Sequence, residues 1–335
     1  MTGENEAASM KCLIKSYITG LLICLLWHLA ACPAVFSEEA PAAHNREGSA
    51  FSAAIILSRN IRPYVDAADA MRAVLAEETA SNIAVYELYR YGENAYKELA
   101  GQLAGRMDDS RRALFIAVGP EATAFLWQEV NPLAGLKFYS IVLNPEKISA
   151  PVALDCGISL NIPPRRQLTY IRKSLPEAER IGIFYDPAFN AQFFENVDQA
   201  AAELGLSLVP LAVSSKKEIP ALLSEKIATV DGIWLIPDRT VISESIAQYI
   251  IKQSVLQEVP VIGYNQFFYD SGAAVAFVFD YAALGRQTAR KALATIRRGE
   301  CRKQLPAFQV WINPAVFDKL DIALPEMNQP MVIGP

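Results

Sequence analysis

The chain has two histidines, His28 and His44, and both precede the first strand-like run of residues. Triads built on an imidazole base, imidazole metal sites and histidine general acids are therefore removed from the folded body together. Catalysis by carboxylate, lysine or tyrosine survives that exclusion. Three aspartates, Asp186, Asp238 and Asp280, stand at or just beyond the C-terminal ends of predicted strands, the edge at which open parallel sheets bind ligands. An aspartate there either meets a ligand, as part of an acid–base pair or a cation site, or caps a helix and satisfies a loop. Recurrence at three equivalent edges points to a shared cleft.

Further polar and aromatic residues fall on the same edges. Ser58, Arg59 and Tyr64 follow the first predicted strand, Gly119, Glu121, Ala122 and Thr123 the third, and Asn144 the fourth. Tyr185, Asn190, Tyr264 and Asn265 occupy the matching places in the second half. Aromatic walls with a few placed hydrogen-bonding groups suit a small polar metabolite. The helix opening after Gly119 offers free N–H groups to a ligand carboxylate, but the charge of Glu121 occupies the same positive helix end. Glu121 then either meets a ligand ammonium or stabilises its own helix. No P-loop run is present, and no GxGxxG follows the first strand; no cofactor and no metal is expected. Trp127, Trp234 and Trp311 read as packing residues, and Arg165-Arg166 and Arg297-Arg298 as solvated helix faces.

Positioning these residues is the work of alternating segments. Apolar runs of strand length at Ser52–Leu57, Ile83–Leu88, Ala113–Val118 and Phe138–Leu143 are separated by stretches with helical spacing, such as Val65, Ala68, Met71 and Leu75. In the second half, strands are predicted at Arg180–Tyr185, Leu206–Pro210, Asp231–Ile236, Val259–Gly263 and Ala274–Phe279. Helices are predicted at Arg165–Leu175, Ala191–Leu204, Ile219–Ile227, Ile242–Gln257 and Ala282–Arg298. Such alternation implies an α/β class with parallel sheets covered by helices. Between the halves, Gly157, Pro163 and Pro164 interrupt regular structure around Ile158–Ile162, as expected of a strand crossing between lobes without joining either sheet.

The 335 residues suffice for two cores, and a net charge of −5 without a basic stripe leaves a nucleic-acid partner nothing to sit on. Lys11 and Lys15 ahead of the apolar run Ile18–Ala31 have the layout of an export signal, and that run is short of the roughly 20 residues a membrane span needs. Residues 1–37 are read as a signal peptide and 38–50 as a linker. Cleavage after Ser37 and lipidation of Cys32 both fit, and both place the body in the periplasm or otherwise outside the cytoplasm. Two cysteines remain in the body, Cys156 and Cys301, either as one disulfide or as two separate thiols.

Four segments carry a family resemblance: Ile56-Leu57-Ser58-Arg59-Asn60-Ile61-Arg62-Pro63-Tyr64; Ser159-Leu160-Asn161-Ile162-Pro163-Pro164 with Gln167-Leu168; Phe184-Tyr185-Asp186-Pro187; and Asp280-Tyr281-Ala282-Ala283-Leu284-Gly285-Arg286-Gln287-Thr288-Ala289. In this order they resemble the periplasmic binding proteins of type I fold, specifically the ABC-transporter substrate-binding family with tryptophan- and tyrosine-binding members. The resemblance implies two Rossmann-like lobes joined by a three-strand hinge. Residues 51–160 plus 274–299 would form lobe one, and 161–273 plus 300–335 lobe two and the hinge crossings. Cys156 and Cys301 would both lie near crossings. It further implies a protein that catalyses no reaction and closes on a small ligand such as an aromatic amino acid. The partner would be an ABC permease or, alternatively, a membrane sensor.

Overall fold

A strand whose residues are nearly all apolar must be covered on both faces, and the first half supplies several. The computed structural model describes residues 51–78, 83–105, 113–130, 135–148, 156–241, 243–301, 304–328 and 330–334. The expected signal peptide, linker and lipidation site at Cys32 lie outside these residues.

Lobe one is built on a five-stranded parallel sheet of order β2-β1-β3-β4-β5. Its strands are β1 (Ser52–Leu57), β2 (Ile83–Glu87), β3 (Ala113–Val118), β4 (Leu136–Val142) and β5 (Gly157–Ser159). Helices α1 (Arg62–Glu78), α2 (Tyr96–Gly105) and α3 (Pro120–Gln128) alternate with the first strands. One face buries Ile55, Leu57, Ile116 and Phe138 against Met71 and Leu75 of α1. The other buries Ile56, Phe115 and Ala117 against Leu99 and Leu103 of α2 and Phe125 of α3.

Lobe two begins with α4 (Pro164–Ser174), then β6 (Arg180–Tyr185), α5 (Pro187–Ala202), β7 (Ser207–Ala212), α6 (Ile219–Lys226), β8 (Gly232–Leu235), α7 (Glu244–Leu256), β9 (Val261–Gly263), α8 (Gln266–Asp270) and β10 (Val275–Val278). Helix α9 (Tyr281–Arg298), β11 (Gln309–Ile312), α10 (Pro314–Lys319) and β12 (Met331–Ile333) complete the chain. The sheet has seven strands in the order β12-β11-β10-β9-β8-β6-β7. It is parallel except at β10–β11, which pair antiparallel with Phe277 opposite Val310.

Two placements differ from the sequence expectation. The strand predicted at Ala274–Phe279 belongs to lobe two rather than lobe one: Val275 pairs with Ile262 and Ala276 with Gly263. Only α9 passes to lobe one, where it packs along α1. The split falls at Phe279, which packs against the cores of both lobes. The first crossing also departs from expectation, because β5 joins sheet one through Tyr139–Gly157 and Ser140–Ile158 pairs with β4. The prolines expected to prevent this, Pro163 and Pro164, lie beyond the pairing residues and instead open α4, where a missing N–H costs nothing.

The third crossing leaves α9 through Gly299, in the left-handed region at φ 78°. Cys301 is bonded to Cys156 with a Cα–Cα distance of 5.5 Å. Gln287 of α9 then holds the returning chain twice, donating to the Leu305 carbonyl at 2.8 Å and accepting from the Ala307 N–H at 3.0 Å. No helix of the described residues is long and apolar enough to cross a membrane.

Candidate functional site

In each sheet the strand order reverses beside the first strand, between β1 and β3 and between β6 and β8, which opens a crevice at the C-terminal strand ends. Side chains bridge both crevices. In lobe one Ser58, buried, accepts from the Ala122 N–H at 2.8 Å, joining the loops after β1 and β3. The hydroxyl thereby takes a donor that the helix N-terminus would otherwise hold out to a ligand. Gly119 makes this approach possible: its φ is 90°, and a Cβ there would stand 2.7 Å from both the Ser58 hydroxyl and the Tyr64 ring. The Thr123 hydroxyl donates to the Gly119 carbonyl at 2.8 Å and is fully buried.

Arg59 and Glu121 pair with each other, the Arg59 Nε donating to Glu121 Oε1 at 2.8 Å. Glu121 stands in the first turn of α3, where a negative charge supports the helix end as one of its two expected roles, and the pair with Arg59 also ties the loop after β1 to α3. Burial, then the Glu121 charge, hold the Tyr64 phenol above its ordinary range.

Lobe two closes its crevice with carboxylates. Asp238 is 1% exposed. Its Oδ2 accepts from the Asp186 N–H at 2.8 Å and from Asn190 Nδ2 at 2.7 Å. Its Oδ1 accepts from the N–H groups of Thr240 and Val241 at 2.8 and 3.2 Å. Asp186 caps α5 through the Ala188 N–H at 2.9 Å and accepts from the Thr240 hydroxyl at 2.6 Å. Every oxygen of this pair is therefore engaged in holding the loops, as buried carboxylates must be. Asn190 sits in a kink of α5 at φ −130°, which turns it toward Asp238. Asp280 is exposed, caps α9 through the Ala283 N–H at 2.9 Å and lies 3.7 Å from Arg286. Tyr185 stacks on Phe194 with ring centroids 4.7 Å apart, inside the lobe-two core.

A cavity of about 300 Å³ lies between the lobes. Leu143, Asn144 and Leu160 line it from lobe one, and Asn161, Ile162, Pro164 and Gln167 from the first crossing and α4. Asn190, Phe193, Ile236, Pro237, Tyr264, Asn265 and Phe277 come from lobe two, and Phe279 and Tyr281 from the second crossing. Of the residues expected at the site, the cavity brings together Asn144, Asn190, Tyr264 and Asn265. Ser58, Arg59, Tyr64, Gly119, Glu121, Ala122, Thr123, Tyr185, Asp186, Asp238 and Asp280 do not line it. Sequence reasoning missed the contributions of the crossings, Asn161, Gln167, Phe279 and Tyr281. The signal was their place in segments that leave one sheet for the other lobe, and so form the floor of whatever lies between.

Tyr264 is pushed well above the ordinary phenol range by burial and, secondarily, by the Asp238 charge. The folded protein therefore keeps this proton to higher pH than the unfolded chain, whose tyrosine titrates at 10.0. The contribution of Tyr264 is complete below about pH 10 and falls as pH rises toward the folded-state value. The Tyr264→Phe protein should consequently lose less melting temperature than the parent between about pH 9 and 11. Burial likewise raises Tyr64, Tyr185, Tyr269 and Tyr281, so part of the fall should remain in the variant. Parallel pH profiles for parent and variant would contradict this assignment.

A family model for ABC transporter substrate binding proteins matches residues 141–328. No curated protein matches the chain. A substrate-binding protein with adhesive properties from Clostridium difficile, in its ligand-free, open form, superposes with a TM-score of 0.70 at 16% identity, over 85% of this chain and 99% of that one. The ABC domain in complex with L-Trp from Streptococcus pneumonia gives 0.56 at 18% identity, over 83% and 97%. A periplasmic ribose ABC transporter protein from Conexibacter woesei gives 0.54 at 11% identity, over 81% and 95%. These likenesses establish the fold, two α/β lobes of the type I periplasmic binding protein class. The family match spans more than half of the sequence, and the chain belongs to the non-enzymatic ABC transporter substrate-binding protein family.

Proposed function

We propose that this protein is the extracytoplasmic binding subunit of an ABC importer, exported on residues 1–37, and that it delivers a small ring-bearing polar ligand to its permease. An aromatic or related amino acid, the class expected from the sequence, is one such ligand. The observation that carries the reading is the cavity of about 300 Å³ between the lobes, walled by aromatic rings and carboxamides from both lobes and two crossings. A ligand there touches both lobes only when they are together. Binding then shifts the open–closed equilibrium by the difference in its affinity for the two forms, and the closed form is what a permease can distinguish.

Native mass spectrometry of the exported protein, purified without unfolding, is expected to show a co-purifying small molecule. Cells lacking the protein should lose ATP-dependent uptake of that molecule. Undiminished uptake, with loss of a transcriptional response to the molecule, would replace import by sensing through a membrane receptor. The same mass spectrum decides the anchoring mode, since a diacylglyceryl adduct at Cys32 and a free Glu38 terminus differ in mass.

A further inference from the structure

We infer that the ligand carries no formal charge and is a flat heterocycle with amide-type donors and acceptors on its edge, the class of a nucleobase or nucleoside. The inference rests on the reading of the interlobe cavity as the ligand site.

The polar atoms of the cavity decide the class. Among the described residues no Asp, Glu, Lys or Arg lines it, whereas five carboxamides do: Asn144, Asn161, Gln167, Asn190 and Asn265. Four of these are oriented by a bond from one half of the amide, and the other half has no partner among the described residues. Asn144 Oδ1 accepts from Asn161 Nδ2 at 3.1 Å, which leaves Asn144 Nδ2 as a donor. Asn265 Oδ1 accepts from the Phe268 N–H at 3.4 Å as the cap of α8, which leaves its Nδ2 as a second donor. Gln167 Nε2 donates to the Ile162 carbonyl at 2.8 Å, leaving Oε1 as an acceptor. Asn190 Nδ2 donates to Asp238 at 2.7 Å, leaving Oδ1 as another. The cavity therefore presents two donors and two acceptors whose roles cannot interchange, because an amide oxygen only accepts and its NH₂ only donates.

A free amino acid would bring an ammonium and a carboxylate to this place without a counter-charge. The charged side chains of the crevices stand off the cavity: Arg59 pairs with Oε1 of Glu121, whose Oε2 is buried without a partner among the described residues, and the Asp186–Asp238 pair is held by backbone and side-chain donors. Placing unpaired charge in such surroundings is costly. A free sugar carries hydroxyls around its whole perimeter, so that against Ile162, Ile236 and Phe277 some of them would go unpaired, whereas the ribose of a nucleoside keeps its hydroxyls at the end remote from the outer edge of the base. A heterocycle confines its donors and acceptors to its edge and offers apolar faces to Phe193, Phe277 and Phe279. The volume, about 300 Å³, lies at the small end of the roughly 300–1,000 Å³ usual for ligand pockets.

Titration calorimetry on the purified protein, dialysed to remove small molecules, tests the class. The probes are adenine, hypoxanthine, cytosine, uracil and their ribonucleosides, set against tryptophan, tyrosine, ribose and arabinose. At least one base or nucleoside should bind saturably, with affinity constant within about twofold between low salt and 1 M salt, as expected when no charge is neutralised. Asn144→Asp and Asn265→Asp each retain the oxygen that accepts the structural bond while replacing the free donor with a second oxygen. Each should weaken that ligand about 10- to 100-fold at unchanged melting temperature. Binding of tryptophan or tyrosine alone, or of a sugar alone, overturns the inference and leaves the importer reading standing. Base binding indifferent to both variants, or no binding of any base or nucleoside, also overturns it. The uptake experiment decides the importer reading separately.

Discussion

Replacing Asp238 by alanine should lower the unfolding free energy by on the order of 4 kcal/mol, because it strips acceptors from several buried donors at once. The donors are the N–H groups of Asp186, Thr240 and Val241 and the side-chain amide of Asn190. They come from the loop after β6, from α5 and from the turn after β8, so these segments lose their mutual register as well as their hydrogen bonds. Asn190 lines the cavity, and its release should weaken ligand binding in whatever fraction of the variant remains folded. Asp238→Asn retains one acceptor oxygen and should fall between alanine and the parent. Urea titration followed by circular dichroism gives the ordering directly. An Asp238→Ala midpoint equal to the parent's would show that the carboxylate is not what holds this edge.

The second large effect concerns how closely α9 lies on α1. A Cβ at Gly285 would stand 2.2 Å from the Ala67 carbonyl oxygen and 2.9 Å from its carbonyl carbon and Cα. These are backbone atoms at the buried Ala67, so nothing at the contact can rotate aside. Gly285→Leu should cost about 3 kcal/mol or more by forcing the helices apart, and Gly285→Ala should also be destabilising. That sign is informative, because a glycine in an exposed helix interior is ordinarily worse than alanine by about 1 kcal/mol. Gly101 in α2 supplies the control: it is exposed, with nothing within 4 Å of a Cβ. Gly101→Ala should raise stability by about 0.5–1 kcal/mol. Opposite shifts of melting temperature for the two alanine variants would establish that close approach, not helix propensity, selects Gly285. If both variants gained stability, the helices would have to lie further apart than described.

The position of α9 also matters for function. It belongs to lobe one by packing, yet it follows directly from β10, a strand of lobe two. Phe279 at the junction packs against both cores and lines the cavity. Any relative movement of the lobes must therefore turn the backbone close to the cavity, along with the crossings at residues 160–163 and 307–308.

Local pattern was enough to determine most elements of this protein. The strands β1, β3 and β6 begin and end where their apolar runs do, since burial on both faces leaves a continuous hydrophobic signature. Pro120 marks a helix start because a first-turn proline gives up no hydrogen bond, whereas Pro164, expected to stop a strand, and Pro187, four residues ahead of the helix expected from Ala191, open helices for the same reason. The edge on which the cavity lies was legible too, because every parallel strand delivers its C-terminal end to the same side, but of the residues expected there only Asn144, Asn190, Tyr264 and Asn265 line it. Tertiary structure alone decided two other matters. It assigned β10 to the second sheet, since pairing with β9 and β11 is a relation between distant residues that no local period encodes. It also divided the polar residues of the edge by use. Asp186 and Asp238 look like ligand contacts as letters, but burial compels each of their oxygens to find a donor, and the nearest donors are the loops themselves. Asn144 and Asn265 line the cavity with the amide oxygen held by a structural bond, because a carboxamide can be held by one end and still offer the other.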